Sequence, residues 1–138
     1  MSSSPPNKSV RKLVVVDDER PFTDLLKDVL AESVTCPVVT FTSPLEALAM
    51  IRREPIGMLI TDYHMPKMDG IQLVQMLDEI QPGVPAIIIT GHNLTPHKER
   101  ASAIGALKAI IQKPFGMKEL KDTIARHWQG EQGQVIKG

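Results

Sequence analysis

Short, uninterrupted apolar runs alternate with longer stretches of helical period along most of this chain. The first run, Leu13-Val14-Val15-Val16, is rich in β-branched residues and ends abruptly in acids, as a buried strand does where it opens onto a polar edge. Phe22, Leu25, Leu26, Val29 and Leu30 then recur at i, i+3, i+4, i+7 and i+8, which predicts a helix with all five on one face. Val38-Val39-Thr40-Phe41 reads as a second strand. In Ser43-Pro44-Leu45-Glu46 a capping serine precedes a proline at the first helical position, with a glutamate three residues after the cap. A second helix is therefore expected to run to about Arg53.

Ile56 to Thr61 contains a third strand around Met58-Leu59-Ile60, followed by the turn-forming Met65-Pro66-Lys67-Met68-Asp69-Gly70 and a helical stripe at Leu73, Val74, Leu77 and Ile80. Gln81-Pro82-Gly83 stops that helix. Pro85-Ala86-Ile87-Ile88-Ile89 reads as the fourth strand. Thr95-Pro96 opens a short fourth helix ending near Gly105, Ala109-Ile110-Ile111 forms the fifth strand, and Met117, Leu120, Ile124 and Trp128 mark a last helix. Five β/α units imply a parallel sheet with right-handed crossovers and helices on both faces. Two doubly wound strand orders fit, the dinucleotide-binding one and the flavodoxin-like 2-1-3-4-5, and pattern alone does not choose between them. Residues 1–9 are small, polar and proline-broken, and are expected to form a disordered tail. Residues 129–138 read as a second tail or a truncated linker, which leaves residues 10–128 as the domain.

The length of 138 residues, with 42% hydrophobic residues, suits one domain with its own core. Sixteen basic residues balance 16 acidic ones, so no general electrostatic attraction to nucleic acid or anionic membrane is expected. A lone cysteine, Cys36, cannot form an internal disulfide, and no apolar run reaches the roughly 18 residues of a membrane helix. A cytoplasmic protein with no membrane contact and no direct nucleic-acid binding is expected.

Open α/β sheets bind ligands beyond the carboxyl ends of their strands. Those ends carry Asp17-Asp18, Thr61-Asp62, Thr90-Gly91 and Gln112-Lys113-Pro114. In the flavodoxin-like order the first and third strands are neighbours, so Asp17, Asp18 and Asp62 would converge. Two like charges about 4 Å apart repel by roughly 4 kcal/mol at an effective dielectric near 20, so three carboxylates call for a cation. All-oxygen donors suit Mg²⁺, which also accepts a phosphate oxygen. Lys113 and Thr90 add a charge and a hydroxyl for a tetrahedral oxyanion, and the implied chemistry is phosphoryl transfer.

The segments Val16-Asp17-Asp18-Glu19, Thr61-Asp62-Tyr63-His64-Met65-Pro66-Lys67-Met68-Asp69-Gly70, Thr90-Gly91-His92 and Lys113-Pro114-Phe115 together resemble the receiver domain of two-component response regulators. The resemblance runs from about Arg11 to Trp128. It implies that Asp62 accepts a phosphoryl group from a histidine kinase or histidine phosphotransfer protein. Asp17 and Asp18 would bind Mg²⁺ with Asp62 and the backbone carbonyl of His64, while Thr90 and Lys113 would contact the phosphoryl group. A cis Lys113-Pro114 bond is implied too, as is a signalling face made of the fourth helix, fifth strand and last helix. His64 and His92 occupy positions that flank the phosphoryl group and influence its lifetime. The output would be a downstream protein or an output domain missing from this chain, and a homodimer is compatible with the resemblance.

One position departs from the family pattern. Ile110 stands where a tyrosine or phenylalanine usually rotates inward during switching. That departure motivates an alternative, a phosphorylation-independent receiver-like interaction module. Two histidines beside three carboxylates also raise transition-metal binding. A metal-dependent phosphatase is remote, because no Asp-x-Asp and no Gly-rich phosphate loop follows the first strand. Asp69 and Gly70 read as turn and helix-cap residues, Glu19 as added negative charge or a helix-start residue, and Trp128 as packing the end of the last helix.

Overall fold

The apolar run after Arg11 forms β1 (Lys12–Val16), whose last four residues are all buried. The computed structural model describes residues 10–128 and 135–137, and the expected amino-terminal tail at residues 1–9 lies outside them. The elements that follow are α1 (Arg20–Ser33), β2 (Val38–Phe41), α2 (Pro44–Ile51), β3 (Ile56–Asp62), α3 (Gly70–Ile80), β4 (Ala86–Thr90), a 3₁₀ turn at Thr95–His97, α4 (Lys98–Ser102), β5 (Leu107–Gln112) and α5 (Met117–His127). The five strands are parallel in the order β2-β1-β3-β4-β5. The flavodoxin-like alternative is therefore the one adopted.

Each face of the sheet carries its own core. Leu13, Val15, Met58, Ile60, Ile87 and Ile89 point towards α1 and α5, while Val14, Val16, Leu59 and Ile88 face α2, α3 and α4. β3 is buried over six of its seven residues, which explains why it reads as continuous apolar sequence rather than an alternation. At the carboxyl end of α5, Trp128 lies over Gly57 of β3, and any Cβ at Gly57 would meet the indole. Gln81 joins α2 to β3: its Nε2 donates to the carbonyls of Ile51 (2.7 Å) and Glu54 (2.8 Å), and its Oε1 accepts the Ile56 N–H at 3.1 Å.

Several boundaries differ from the sequence expectation. α2 stops at Ile51, whose carbonyl accepts from Gln81 Nε2. α4 has only five residues, preceded by the 3₁₀ turn, and β5 begins two residues early, at Leu107. On α1 the buried row is Thr23, Leu26 and Leu30, while Leu25 is 59% exposed. Phe22, Leu25 and Val29 instead wall an open apolar groove with Phe115 and Met117. Residues 135–137 return to the body: the Thr35 N–H donates to the Val135 carbonyl and the Lys137 N–H to the Ser33 carbonyl, both at 2.7 Å, with Val135 buried. The rest of the expected carboxyl-terminal tail, residues 129–134 and 138, lies outside the described residues.

Candidate functional site

Register explains why the acids meet. Val16 of β1 pairs with Thr61 of β3, so the residues that follow, Asp17 and Asp62, leave the sheet side by side. Carboxylate oxygens of Asp17, Asp18 and Asp62 all lie within 4.8 Å of one another. On the other side of β3, Thr90 pairs with Gln112 and its carbonyl accepts the Lys113 N–H at 2.8 Å. Lys113 then reaches back across the edge, with Nζ 3.5 Å from Asp17 Oδ2 and 3.8 Å from Asp62 Oδ1. Its ammonium stands 4.4 Å from the centre of the Phe22 ring, and Phe22 meets Phe115 edge to face at 6.4 Å. Lys113 is thus held by a cation–π contact to Phe22 as well as by the charges of Asp17 and Asp62. The Lys113-Pro114 bond is cis.

Asp17 is almost fully buried. Its Oδ1 accepts the Glu19 N–H at 2.9 Å, while Oδ2 is buried without a hydrogen-bond donor. Burial pushes the Asp17 carboxyl up to about 6, opposed by the Glu19 amide and by Lys113 and reinforced by Asp62 and Asp18. Burial likewise raises Asp62, against the pull of Lys113 and of the Tyr63 N–H, which donates to Asp62 Oδ1 at 2.9 Å. A single ammonium leaves this charge undercompensated. The orphaned Asp17 oxygen and the all-oxygen donor set fit a hard divalent cation such as Mg²⁺.

The loop after β3 is shaped for the same end. Lys67 has φ 73°, the Met68 N–H donates to the Pro66 carbonyl at 2.8 Å, and the Gly70 N–H donates to the Tyr63 carbonyl at 2.7 Å. A Cβ on Gly70 would overlap the Asp62 carbonyl oxygen and lie 3.0 Å from Tyr63 Cα. The start of α3 can therefore sit against the backbone of Asp62 only with glycine there. Asp69 caps α3 in a reciprocal box with Gln72, as its sequence position suggested.

A cleft of about 270 Å³ is lined by Asp18, Glu19, Asp62, His64, Gly91, His92 and Lys113. The exposed His64 and His92 rings stand 5.3 Å apart. Thr90 does not line this cleft. It is fully buried, and its Oγ1 accepts the His92 N–H at 2.9 Å. Ile110 is 43% exposed and borders a separate groove with Leu94, Ala101 and Leu107 between α4 and β5. Sequence reasoning missed the Phe22 support of Lys113, the Arg100–Asp69 ion pair and the packing of the His97 ring 5.6 Å from Tyr63. None leaves a local sequence signal, because each partner comes from a different element.

Among the described residues no helix is long and apolar enough to cross a membrane. Burial pushes the Cys36 thiol up to about 11, so it is not a reactive nucleophile near neutral pH.

The family model described as the response regulator receiver domain matches residues 13–125. A response regulator receiver protein of Anaeromyxobacter sp. is 34% identical over 113 residues, covering 82% of this chain and 47% of that protein. Transcriptional regulatory protein GlrR of Escherichia coli is 34% identical over 112 residues, 81% of this chain and 25% of GlrR. This chain therefore spans half or less of these curated relatives. Among solved structures, a receiver domain protein from Clostridium thermocellum superposes with TM-score 0.77 at 27% identity, covering 85% of this chain and 93% of that one. A CheY-like receiver domain protein from Methanospirillum hungatei gives 0.78 at 25% identity over 86% and 93%. With acids closing β1 and β3, a lysine closing β5 and this strand order, the chain belongs to the response regulator receiver domain family of two-component signal transduction.

Proposed function

We propose that Asp62 is the phosphoacceptor of a phosphorelay and that a histidine kinase or histidine phosphotransfer protein is the donor. The observation that carries this reading is the convergence of Asp17, Asp18 and Asp62 within 4.8 Å under the Lys113 ammonium. One Asp62 carboxylate oxygen attacks phosphorus, the phosphorus–nitrogen bond breaks, and its electron pair returns to the donor imidazole. Asp62 is aligned for this by the Tyr63 amide and needs no general base when ionised. Asp17, Asp18, Asp62 and the His64 carbonyl would hold Mg²⁺, which would neutralise charge on the transferring group. Lys113 supplies a fixed positive charge, and Thr90 would reach the phosphoryl group by turning its hydroxyl away from the His92 amide. His64 and His92, at the cleft, influence how readily water reaches the acyl phosphate. The domain would assist its own phosphorylation and dephosphorylation without acting as a conventional enzyme.

The added charge of nearly two units biases the face made of α4, β5 and α5, changing contact with a downstream protein, an output domain or a second copy. A cytoplasmic location fits such partners. Exposed Ile110 favours a second reading, a docking module that works without phosphorylation. Phosphoramidate, whose phosphorus–nitrogen bond mimics phosphohistidine, tests the first. Trapping with hydroxylamine and peptide mapping should place the hydroxamate at Asp62; a hydroxamate at another carboxylate, or none on folded protein, would overturn it.

A further inference from the structure

Two exposed imidazoles meeting at the rim of an acidic cleft are a ligand set that Mg²⁺ does not use. His64 follows β3 and His92 follows β4. These strands are neighbours, so the sheet itself brings the two loops together. We propose that the His64 and His92 side chains form a binding site for a transition-metal dication of the Zn²⁺ class, separate from the carboxylate cluster.

Geometry supports the pair. Two imidazoles on one tetrahedral ion, with metal–nitrogen bonds of about 2.0–2.1 Å, hold their ring centres about 5 Å apart. The observed separation is 5.3 Å, with the rings tilted by 47° rather than stacked in parallel. Charge supports a cation there too. With Mg²⁺ and Lys113 offsetting Asp17, Asp18 and Asp62, the Glu19 carboxylate remains as negative charge in the cleft that both rings line.

Donor chemistry sorts the two ions. Imidazole nitrogen suits Zn²⁺, Ni²⁺ and Cu²⁺, whereas Mg²⁺ takes carboxylate and carbonyl oxygens. Both sites can then be filled together, Mg²⁺ among Asp17, Asp18 and Asp62 and the transition ion on the imidazoles. The ion would stand at the cleft mouth, where a phosphodonor must pass to reach Asp62, so it should slow phosphorylation. That consequence rests on Asp62 being the acceptor; ion binding does not.

The test is calorimetric titration of the full chain with Zn²⁺ in saturating Mg²⁺, repeated on His64→Gln, His92→Gln and the double variant. Loss of an outer-shell partner alone costs metal sites about 10–100-fold in affinity, so each single variant should weaken Zn²⁺ binding by at least roughly tenfold. One ion per chain and a Co²⁺ spectrum with nitrogen ligation in the natural sequence, lost in the double variant, would support the site. Circular dichroism verifies that the surface variants are folded. Unchanged affinity in both single variants, Zn²⁺ displaced one for one by Mg²⁺, or no Zn²⁺ binding at all would each overturn it. None of these readouts involves phosphorylation, so failure here is distinct from failure of the acceptor assignment.

Discussion

Arg100 on α4 places Nη2 3.0 Å from both carboxylate oxygens of Asp69, the residue that caps α3 beside the Asp62 loop. Asp69 Oδ1 also accepts the Gln72 N–H at 2.8 Å. The pair is partly exposed, so a double-mutant cycle of Arg100→Ala and Asp69→Asn should give a coupling of about 0.2–1 kcal/mol that falls with added salt. Asparagine still caps the helix. Asp69→Ala removes cap and pair together and should cost roughly 1 kcal/mol more than Asp69→Asn in urea unfolding.

Gly70 is the position where backbone contact couples the turn to the acceptor. Gly70→Ala should destabilise the domain by about 1–3 kcal/mol through overpacking against the Asp62 carbonyl and Tyr63. It should also weaken Mg²⁺ binding, because relief of the overlap displaces Asp62. A Cβ on Gly105 meets nothing within 4 Å, so Gly105→Ala should leave Mg²⁺ affinity unaltered in the same titration.

The raised carboxyl of Asp17, about 6 against an ordinary 3.8, sets a pH dependence with a definite sign. Between those values the folded protein holds a proton that the unfolded chain has released. Metal-free protein should therefore lose up to roughly 3 kcal/mol as pH rises through that window, with Asp62 acting in the same direction. Mg²⁺ binds the ionised carboxylates in competition with protons. Thermal melts with and without Mg²⁺ should thus show a small metal-induced shift near pH 5 and a much larger one above about pH 7.

Ile110 is half out of the protein. Ile110→Ala should change stability by less than about 1 kcal/mol in a thermal melt and leave phosphoryl uptake at Asp62 unaltered. A large loss of uptake would mean that this side chain acts on the acid cluster, although it lines the groove beside α4 and not the cleft of the acids.

Much of this architecture was legible in the sequence because strand burial and strand ends leave local marks. The apolar run of β3 followed by Thr61-Asp62, and that of β1 followed by Asp17-Asp18, place the acids at the sheet edge from sequence alone. Periodicity does not choose the strand order; the family resemblance points to it. A 3.6-residue period gives a wide apolar stripe without saying which edge of it meets the sheet, so it does not distinguish buried Leu26 and Leu30 from exposed Leu25. The return of Val135, the Phe22 contact to Lys113 and the Arg100–Asp69 pair depend on which elements become neighbours. Single-element patterns do not encode that.

The most direct test is intact-protein mass after incubation with acetyl phosphate and Mg²⁺. Phosphoryl transfer to Asp62 requires a single labile adduct, absent from Asp62→Asn and absent when a chelator replaces Mg²⁺. An adduct that persists in Asp62→Asn or without a divalent ion, or none on folded, Mg²⁺-bound protein, would contradict the account.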